Sequence, residues 1–377
     1  MCLLTCLHSS HALPQHVMSS LGCSGQLVCS LLFCAVREGV PFTLNSWLDV
    51  VKNMPAWYRS PVPISWPPEQ GGFFHGGHLG HSSHPSWSDA QRHWEDEMTG
   101  AQLVQWKTAT VKTRKASFTM SLVDLAGSYS VDSALGLAQG RSDEILAMAE
   151  DGAARSHAHL GTSRRVSFDV GANLGSVAVL LARSASRVPI IALEPHPIVF
   201  RLLLWNLRAN NVTPFVWPIN AALGRPHQKL EEDAEQTTYG MLHLLGEKQH
   251  RGLSVYTRPD DSDLSGCDHG SVANPCVLIP VLGVSEVLRH TRARSVALLK
   301  LNCEGCEYDV LGDPQLQRML ATWRVGRVVG SLHESRGGTA EEELLAREAL
   351  CRKQNQIWKY EACSLERSDH SRSAHFD

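Results

Sequence analysis

The sequence predicts an α/β protein built on a doubly wound, mostly parallel sheet with helices on both faces. Three observations predict this fold. Short apolar strands alternate with amphipathic helices from residue 166 onward, a glycine-rich turn follows the first strand, and an acidic residue ends the second. Because a helix between two strands returns the chain to the same edge of the sheet, alternation of this kind favours parallel strands.

The predicted strands are short runs of apolar residues bounded by polar or turn-forming residues. They span residues 166–170, 189–193, 214–223, 296–301 and 325–332, with a short strand-like piece at 253–256 inside a polar stretch. Helix signals lie between them. Ser142 followed by two acids predicts a helix start, and Pro197 suits the first turn of another. Thr339 and Glu342 form a capping-box pair before a further helix.

The composition permits a globular core and predicts no strong net electrostatic field. The chain has 377 residues, of which 43% are hydrophobic, and a formal net charge of −3. No field of that size steers a protein to nucleic acid, so no nucleic-acid partner is expected. The 11 cysteines are irregularly spaced and do not form a small disulfide scaffold. Cys267 and Cys276 could close a loop in an oxidising compartment, or remain free thiols in a reducing one.

The first 100 residues are expected to form an N-terminal extension, disordered or serving as a targeting segment. Residues 18–36 are mostly apolar but interrupted, which makes membrane association borderline and leaves cytoplasmic and secretory locations both open. Residues 53–100 resemble a linker, because prolines crowd its first part and a His-rich tract follows at 75–84. That tract favours a solvated loop over a metal site, so no metal ligand is predicted.

The most informative motif is the glycine-rich turn at 169–175, with Glu194 at the end of the next strand. Ligands of open parallel sheets bind beyond the carboxyl ends of the strands. Gly171 and Gly175 lack side chains, so a ligand could approach their backbone closely. Glu194 lies 19 residues after Gly175, where a carboxylate can accept hydrogen bonds from both hydroxyls of a ribose.

A nicotinamide dinucleotide fits this turn poorly. Its phosphate-binding fingerprint needs a glycine where Asn173 stands, and the last glycine comes one residue early. Asp169 would also add negative charge beside two phosphates. A zwitterionic methionyl group with a sulfonium cation tolerates that acid better, which favours S-adenosyl-L-methionine.

Three blocks of the sequence resemble the FkbM-type methyltransferases, which are class I S-adenosylmethionine-dependent enzymes with a Rossmann-like fold. The blocks are VSFDVGANLGSVAVLLA, IIALEPHPIVFRLLLWNLRANN and LLKLNCEGCEYDVL. The resemblance places the methyltransferase domain at 130–363. It implies O-methylation of a hydroxyl group on a sugar, glycan or small-molecule acceptor.

The resemblance also implies a set of site residues. Those expected around the cofactor are Asp169, Gly171, Asn173, Gly175, Glu194, Pro195, His196, Asn220 and Ala221. Those expected near the transferred methyl group or the acceptor are Asn302, Glu304, Glu307, His333 and Glu334. A hydroxyl acceptor must lose a proton, and His333 is our candidate base because its unperturbed pKa is about 6.5. Glu304 or Glu307 could do the same if burial raised its pKa.

Two departures from the family pattern leave an alternative open. Asn302 stands where the family usually has aspartate, and only residues 357–362 resemble a strand after the helix near 340–352. The alternative is a catalytically weakened or inactive binding protein with the methyltransferase fold, and a nicotinamide oxidoreductase is less favoured. Cys303 and Cys306 form a CxxC that we interpret as two buried thiols. Glu304 and Glu307 could instead pair with Lys300.

Overall fold

A computed structural model describes most of the chain from residue 54 onward. The described residues are 54–64, 89–126, 128, 130–155, 165–183, 188–224, 238–243, 256–257, 276–303, 306–322, 324–332 and 374–376. Several expectations fall outside them. These are the apolar segment 18–36, the His-rich tract, the loop containing Cys267, the helix near 340–352 and the strand at 357–362.

Twelve strands and nine helices lie in the described part of the chain. The strands are β1 Val104–Lys112, β2 Ser117–Leu125, β3 Arg165–Val170, β4 Ile190–Leu193, β5 Val216–Ile219, β6 Ala222–Leu223, β7 Thr238–His243, β8 Tyr256–Thr257, β9 Cys276–Leu282, β10 Ser295–Leu301, β11 Val325–Leu332 and β12 Ala374–Phe376. The helices are α1 Ala56–Arg59, α2 Asp89–Gly100, α3 Ser130–Gly140, α4 Ser142–Arg155, α5 Ser176–Arg183, α6 Pro197–Ala209, α7 Val284–His290, α8 Glu307–Gly312 and α9 Pro314–Ala321.

The central sheet confirms the predicted doubly wound α/β fold. Its strand order is β5-β4-β3-β10-β11-β12, and every neighbouring pair is parallel except β11 with β12. The chain builds outward from β3 to β5, then returns to place β10 on the other side of β3. This reversal is the topological switch point, where an open parallel sheet presents its ligand crevice.

Helices cover both faces of the central sheet. Nearly every residue of β3, β4, β5 and β10 is buried, as expected for strands covered on two sides. One hydrophobic core lies under α3 to α6, and the other lies under α7 to α9. The carboxyl ends of the strands therefore lie between two packed layers and form one edge.

A β1–β2 hairpin, which the sequence analysis did not predict, packs against helix α6. Asn206 exchanges two hydrogen bonds with the backbone of Val123, at 2.7 and 3.1 Å. Asn210, one turn later, does the same with Ser121 at 3.1 and 2.7 Å. These two side chains satisfy backbone groups along β2 that its partner β1 cannot reach. An amide carries both donors and an acceptor, which suits it to this task.

Part of the expected N-terminal extension is ordered, so the prediction of a disordered linker is wrong for residues 54–64 and 89–100. Tyr58 of α1 is fully buried. Helix α2 packs against α6 through an ion pair between Glu95 and Arg208. Prolines punctuate this stretch, but its aromatic side chains and a buried carboxylate have partners on α6. Those tertiary contacts outweigh the unfavourable local propensities.

The third predicted strand is in fact two strands in different sheets. Residues 216–219 form β5, whereas Ala222 and Leu223 form β6 in a second sheet of order β6-β9-β7-β8. The chain turns at Asn220, whose side chain is hydrogen-bonded at the edge of the central sheet. Continuous hydrophobicity across 214–223 concealed this turn, because strands of both sheets are apolar.

The short antiparallel strand β12 lies later than the sequence analysis placed a C-terminal strand. It pairs Phe376 with Gly330 and Ala374 with Leu332. Three residues give too little alternation for a pattern to detect. None of the helices in the described ranges has both the length and the apolar character needed to cross a bilayer.

Candidate functional site

Glu194 lies at the carboxyl end of β4 with its carboxylate fixed by the backbone. Oε2 accepts a hydrogen bond from the N–H of Asn173 at 2.8 Å, and Oε1 accepts one from the N–H of His196 at 2.9 Å. Burial raises the pKa of Glu194 to about 7, although both hydrogen bonds and Lys300 act in the opposite direction. A carboxylate has about four acceptor sites, so two remain for a ligand.

Gly171 and Gly175 are required by the protein's own packing. Both have positive φ, of +68° and +85°. A Cβ added at Gly171 would lie 1.9 Å from the carbonyl oxygen of Asn302, and one at Gly175 would lie 2.4 Å from Cδ1 of Leu203. Both glycines are therefore required by the protein's own packing, and the close approach of a ligand to their backbone stays a prediction.

Asp169 forms a buried ion pair at the switch point. Its Oδ1 lies 2.8 Å from Nζ of Lys300, in the neighbouring strand β10. The same ammonium group donates to the carbonyl oxygens of Val170 and Gly171, at 3.1 and 2.7 Å. Lys300 thus ties β10 to the start of the glycine-rich turn. Because this pairing compensates the charge of Asp169, that charge discriminates less between ligands than the sequence analysis assumed.

The residues expected around the adenine also form hydrogen bonds that hold the start of α6 and the ends of β4 and β5. His196 is the N-cap of α6, where its Nδ1 accepts from the N–H groups of Ile198 and Val199 at 3.2 and 3.4 Å. Asn220 is buried and donates from Nδ2 to the carbonyl oxygens of Glu194 and Pro195, at 2.8 and 3.0 Å. These contacts bring the ends of β4 and β5 into a single edge.

Two further expected residues flank this edge. Asn173 is half-buried and has a positive φ of 50°, so its backbone N–H is turned towards Glu194. Ala221 is fully buried immediately after Asn220, as part of the second hydrophobic core. Because the side chain of Ala221 points into this core, only the backbone at position 221 and the neighbouring Asn220 can border the site.

The end of β10 brings Asn302 next to the glycine-rich turn. Its backbone N–H donates to the carbonyl oxygen of Val170 at 3.1 Å, and the residue is exposed. Glu307, by contrast, is fully buried, and its Oε1 accepts from the N–H of Cys303 at 2.8 Å. Glu307 therefore stabilises the turn at the end of β10, and the predicted pairing of Glu307 with Lys300 is replaced by Asp169–Lys300.

Cys303 and Cys306 are joined by a disulfide, so the interpretation as two free buried thiols is wrong. Their Cα atoms are 5.4 Å apart, which suits such a bond. The CxxC spacing alone leaves free thiols and a disulfide both open. The bridge lies directly after Asn302, at the edge shared with the glycine-rich turn.

Residues 169–355 match the model of the methyltransferase FkbM domain. This part of the chain belongs to the methyltransferase FkbM family. No curated protein matches the chain significantly. The family match begins at Asp169 and includes the glycine-rich turn, the end of β4 and the end of β10. The protein is therefore a methyltransferase by family, with the Rossmann-like sheet expected of one.

Sequence reasoning missed two residues that shape the FkbM domain's edge, Lys300 and Asn206. Lys300 lies in the third block of the family resemblance, but the only pairing predicted for it is with Glu304 or Glu307. Asn206 additionally donates from Nδ2 to the carbonyl oxygen of Leu174, within the glycine-rich turn, at 3.0 Å. A buried polar residue in an apolar helix was the available signal, because such a residue needs a specific partner. Glu304, His333 and Glu334 lie outside the described residues.

Proposed function

We propose that the protein is an S-adenosyl-L-methionine-dependent O-methyltransferase acting on a hydroxyl of a sugar, glycan or small molecule. The observation that supports it best is the fixed carboxylate of Glu194. Two backbone N–H groups orient it at the switch-point edge, and acceptor capacity remains for the two hydroxyls of a ribose. Its position in an FkbM domain makes the ribose of an adenosyl group the natural ligand.

The surrounding residues fit such a cofactor. Glu194 would hold the ribose, and Asn220 with Pro195 and His196 would border the adenine. Asn173 and the glycine-rich turn would contact the methionyl part. Bound S-adenosylmethionine supplies an electrophilic methyl group. The protein's contribution is then to align the acceptor, because correct orientation alone can account for a large part of the rate enhancement.

The acceptor side is assigned to the ends of β10 and β11. Asn302 is exposed beside the turn, and its uncharged amide can orient a hydroxyl without acting as a base. His333 directly follows β11 and is our candidate for removing the acceptor's proton, a contribution of about 10²–10⁴-fold. Glu304 is the second candidate. A His333→Ala variant with full turnover on the true acceptor would exclude that residue as the base.

Calorimetry tests the cofactor assignment first. Wild-type protein should bind S-adenosylmethionine and S-adenosylhomocysteine, whereas NAD should not bind. Glu194→Ala should weaken both adenosyl ligands by at least about tenfold, since it removes two charge-assisted hydrogen bonds. Wild-type protein that ignores both ligands, or a Glu194→Ala variant with unchanged affinity, would refute the assignment.

A transfer assay then separates an active enzyme from an inactive binding protein. The protein is incubated with S-adenosylmethionine labelled in its transferable methyl group and with a panel of sugars, glycans and small-molecule alcohols. The expected result is a labelled methyl ether on one acceptor class, lost in His333→Ala. Cofactor binding without transfer to any hydroxyl would instead support the inactive alternative, in which Asn302 replaces a necessary acid.

A further inference from the structure

The short segment 61–64 lies against the ends of β4 and β5, which are distant from it in the sequence. The backbone N–H of Val62 donates to Oδ1 of Asn220 at 2.8 Å, across 158 residues. The same Asn220 donates to the carbonyl oxygens of Glu194 and Pro195. One buried amide thus connects this segment to the residue that we assign to the ribose.

Arg201 of α6 holds the chain just before this segment. Its Nε donates to the carbonyl oxygen of Tyr58 at 3.1 Å, and its Nη2 donates to those of Trp57 and Ser60 at 2.8 and 3.5 Å. The guanidinium also lies 5.1 and 5.2 Å from the ring centroids of Trp57 and Tyr58. These carbonyls belong to the end of α1, where a helix leaves its last acceptors unsatisfied.

The sequence of the segment explains why it stays extended. Val62 lies between Pro61 and Pro63, which fix φ and have no N–H of their own. The residue before a proline is pushed towards extended conformations, so Ser60 and Val62 do not continue α1. Val62 is left with the only backbone donor of the three residues, and Asn220 accepts it. Ile64 then packs against the second hydrophobic core.

We propose that residues 61–64 form a wall of the adenosyl site, and that Val62 is a positioning residue that orients Asn220 against the adenosine of the cofactor. This inference rests on the proposed function and extends the site beyond the matched domain, which begins only at residue 169. Val62 acts through one N–H. That group fixes Oδ1 of Asn220, and the amide plane then directs Nδ2 to the ends of β4 and β5.

Val62→Pro removes this donor, and it also replaces a side chain that packs against the first hydrophobic core. Val62→Ala is the matched control, since it shortens the side chain and keeps the N–H. Isothermal titration with adenosine and with S-adenosylhomocysteine should show both ligands weakened by about fivefold or more in Val62→Pro, the loss expected for one hydrogen bond. Val62→Ala should stay within about twofold of wild type.

Equal loss for the two ligands at full binding stoichiometry is the expected readout, because partial unfolding would instead lower the fraction of protein that binds. Both contain adenosine, whereas only S-adenosylhomocysteine reaches the methionyl side. If Val62→Pro binds both as wild type does, the wall is refuted while the proposed function stands. If wild-type protein binds neither ligand, the proposed function itself fails.

Hydrogen exchange of the wild-type protein covers the case in which Val62→Pro does not fold. Saturating S-adenosylhomocysteine should slow exchange of the Val62 amide at least about fivefold, because a closed site protects its hydrogen bond. A peptide from β1 is the control and should not change. Unaltered exchange at Val62 in protein saturated with ligand would overturn the proposal.

Discussion

Lys300 and Asp169 form an ion pair inside the sheet, with Nζ 2.8 Å from Oδ1 and both side chains almost entirely removed from solvent. The pair joins β10 to β3 at the switch point, and its ammonium group also holds two carbonyl oxygens of the glycine-rich turn. A buried ion pair need not stabilise the fold more than two apolar side chains would. Removing only one of its two charges, however, is strongly destabilising.

Lys300→Met should therefore destabilise the protein strongly, by about 3–5 kcal/mol, because it leaves the Asp169 carboxylate buried without a counter-charge. Urea denaturation followed by circular dichroism measures the loss. The double variant Asp169→Asn with Lys300→Met is the control and should recover a large part of it. A single variant that loses less than about 1 kcal/mol would contradict the dependence.

The two glycines of the turn should differ in their tolerance of alanine. At Gly175 the added Cβ meets Cδ1 of Leu203, a side chain that can move. At Gly171 it meets the backbone carbonyl of Asn302, which cannot move without displacing the end of β10. Both also pay for positive φ, roughly 1 kcal/mol each.

Gly171→Ala should accordingly be the more destabilising variant, measured by thermal unfolding at matched pH. Leu203→Ala removes the side chain that the new Cβ at position 175 would contact, but it also opens a cavity. The clash is therefore measured by comparing the double variant Gly175→Ala with Leu203→Ala against Leu203→Ala alone. Equal melting temperatures of Gly171→Ala and Gly175→Ala would show that the close approach to Asn302 does not matter.

The affinity for adenosine should rise with pH because of Glu194. Burial raises the pKa of this carboxyl to about 7, so near neutrality it is only partly ionised in the free protein. Ribose hydroxyls donate to the ionised form. Since apparent affinity scales with the competent fraction, it should increase about tenfold between pH 6 and pH 8.

Glu194→Gln is the control for this titration, because glutamine has no charge to lose and its affinity should be weak and independent of pH. Folding stability responds in the opposite sense. A raised pKa means that the contribution of Glu194 is fully present below its unfolded value and is lost as pH rises through about 7. A flat wild-type binding profile would show that the carboxylate does not receive the ribose.

Much of the central sheet could be predicted from the sequence, because strands buried on both faces are continuous apolar runs. The predicted ends of β3, β4, β10 and β11 lie within one residue of those observed. The β1–β2 hairpin was not predicted, although exposed and less exposed positions alternate along much of β1, a pattern typical of a half-buried strand. Its packing against α6 depends on contacts between segments that are distant in sequence.

The sequence predicted where the residues of the candidate site lie better than it predicted what each of them contacts. Glu194 could be identified because a parallel sheet brings its strand ends to one edge. The pairing of Lys300 with Asp169 depends on the register between β3 and β10, which no local pattern encodes. The same holds for Val62, which meets Asn220 only in the folded chain.

Asn206 and Asn210 should separate packing from ligand binding. Both satisfy the backbone of β2, so alanine at either position should lower stability by about 1–3 kcal/mol. Only Asn206 also holds Leu174 in the glycine-rich turn. Calorimetry should therefore show weaker S-adenosylhomocysteine binding for Asn206→Ala than for Asn210→Ala. Equal affinities of the two variants would show that the hydrogen bond from Asn206 to Leu174 does not position the glycine-rich turn for ligand binding.

The disulfide between Cys303 and Cys306 can be detected in one tryptic peptide. Cleavage after Lys300 and Arg318 releases residues 301–318, which contain no other cysteine. In unreduced protein treated with an alkylating agent, this peptide should be unlabelled and two hydrogen masses lighter than the dithiol. After reduction by dithiothreitol, it should take up two labels.

Reduction should leave the domain folded. A loop this short restricts the unfolded chain only modestly, so breaking the bond should cost about 2 kcal/mol. The carboxylate of Glu307 still accepts the N–H of Cys303 and keeps the end of β10 in place. Cys303→Ser with Cys306→Ser should match the reduced protein in urea denaturation. Two labels in the unreduced peptide would show that the thiols remain separate.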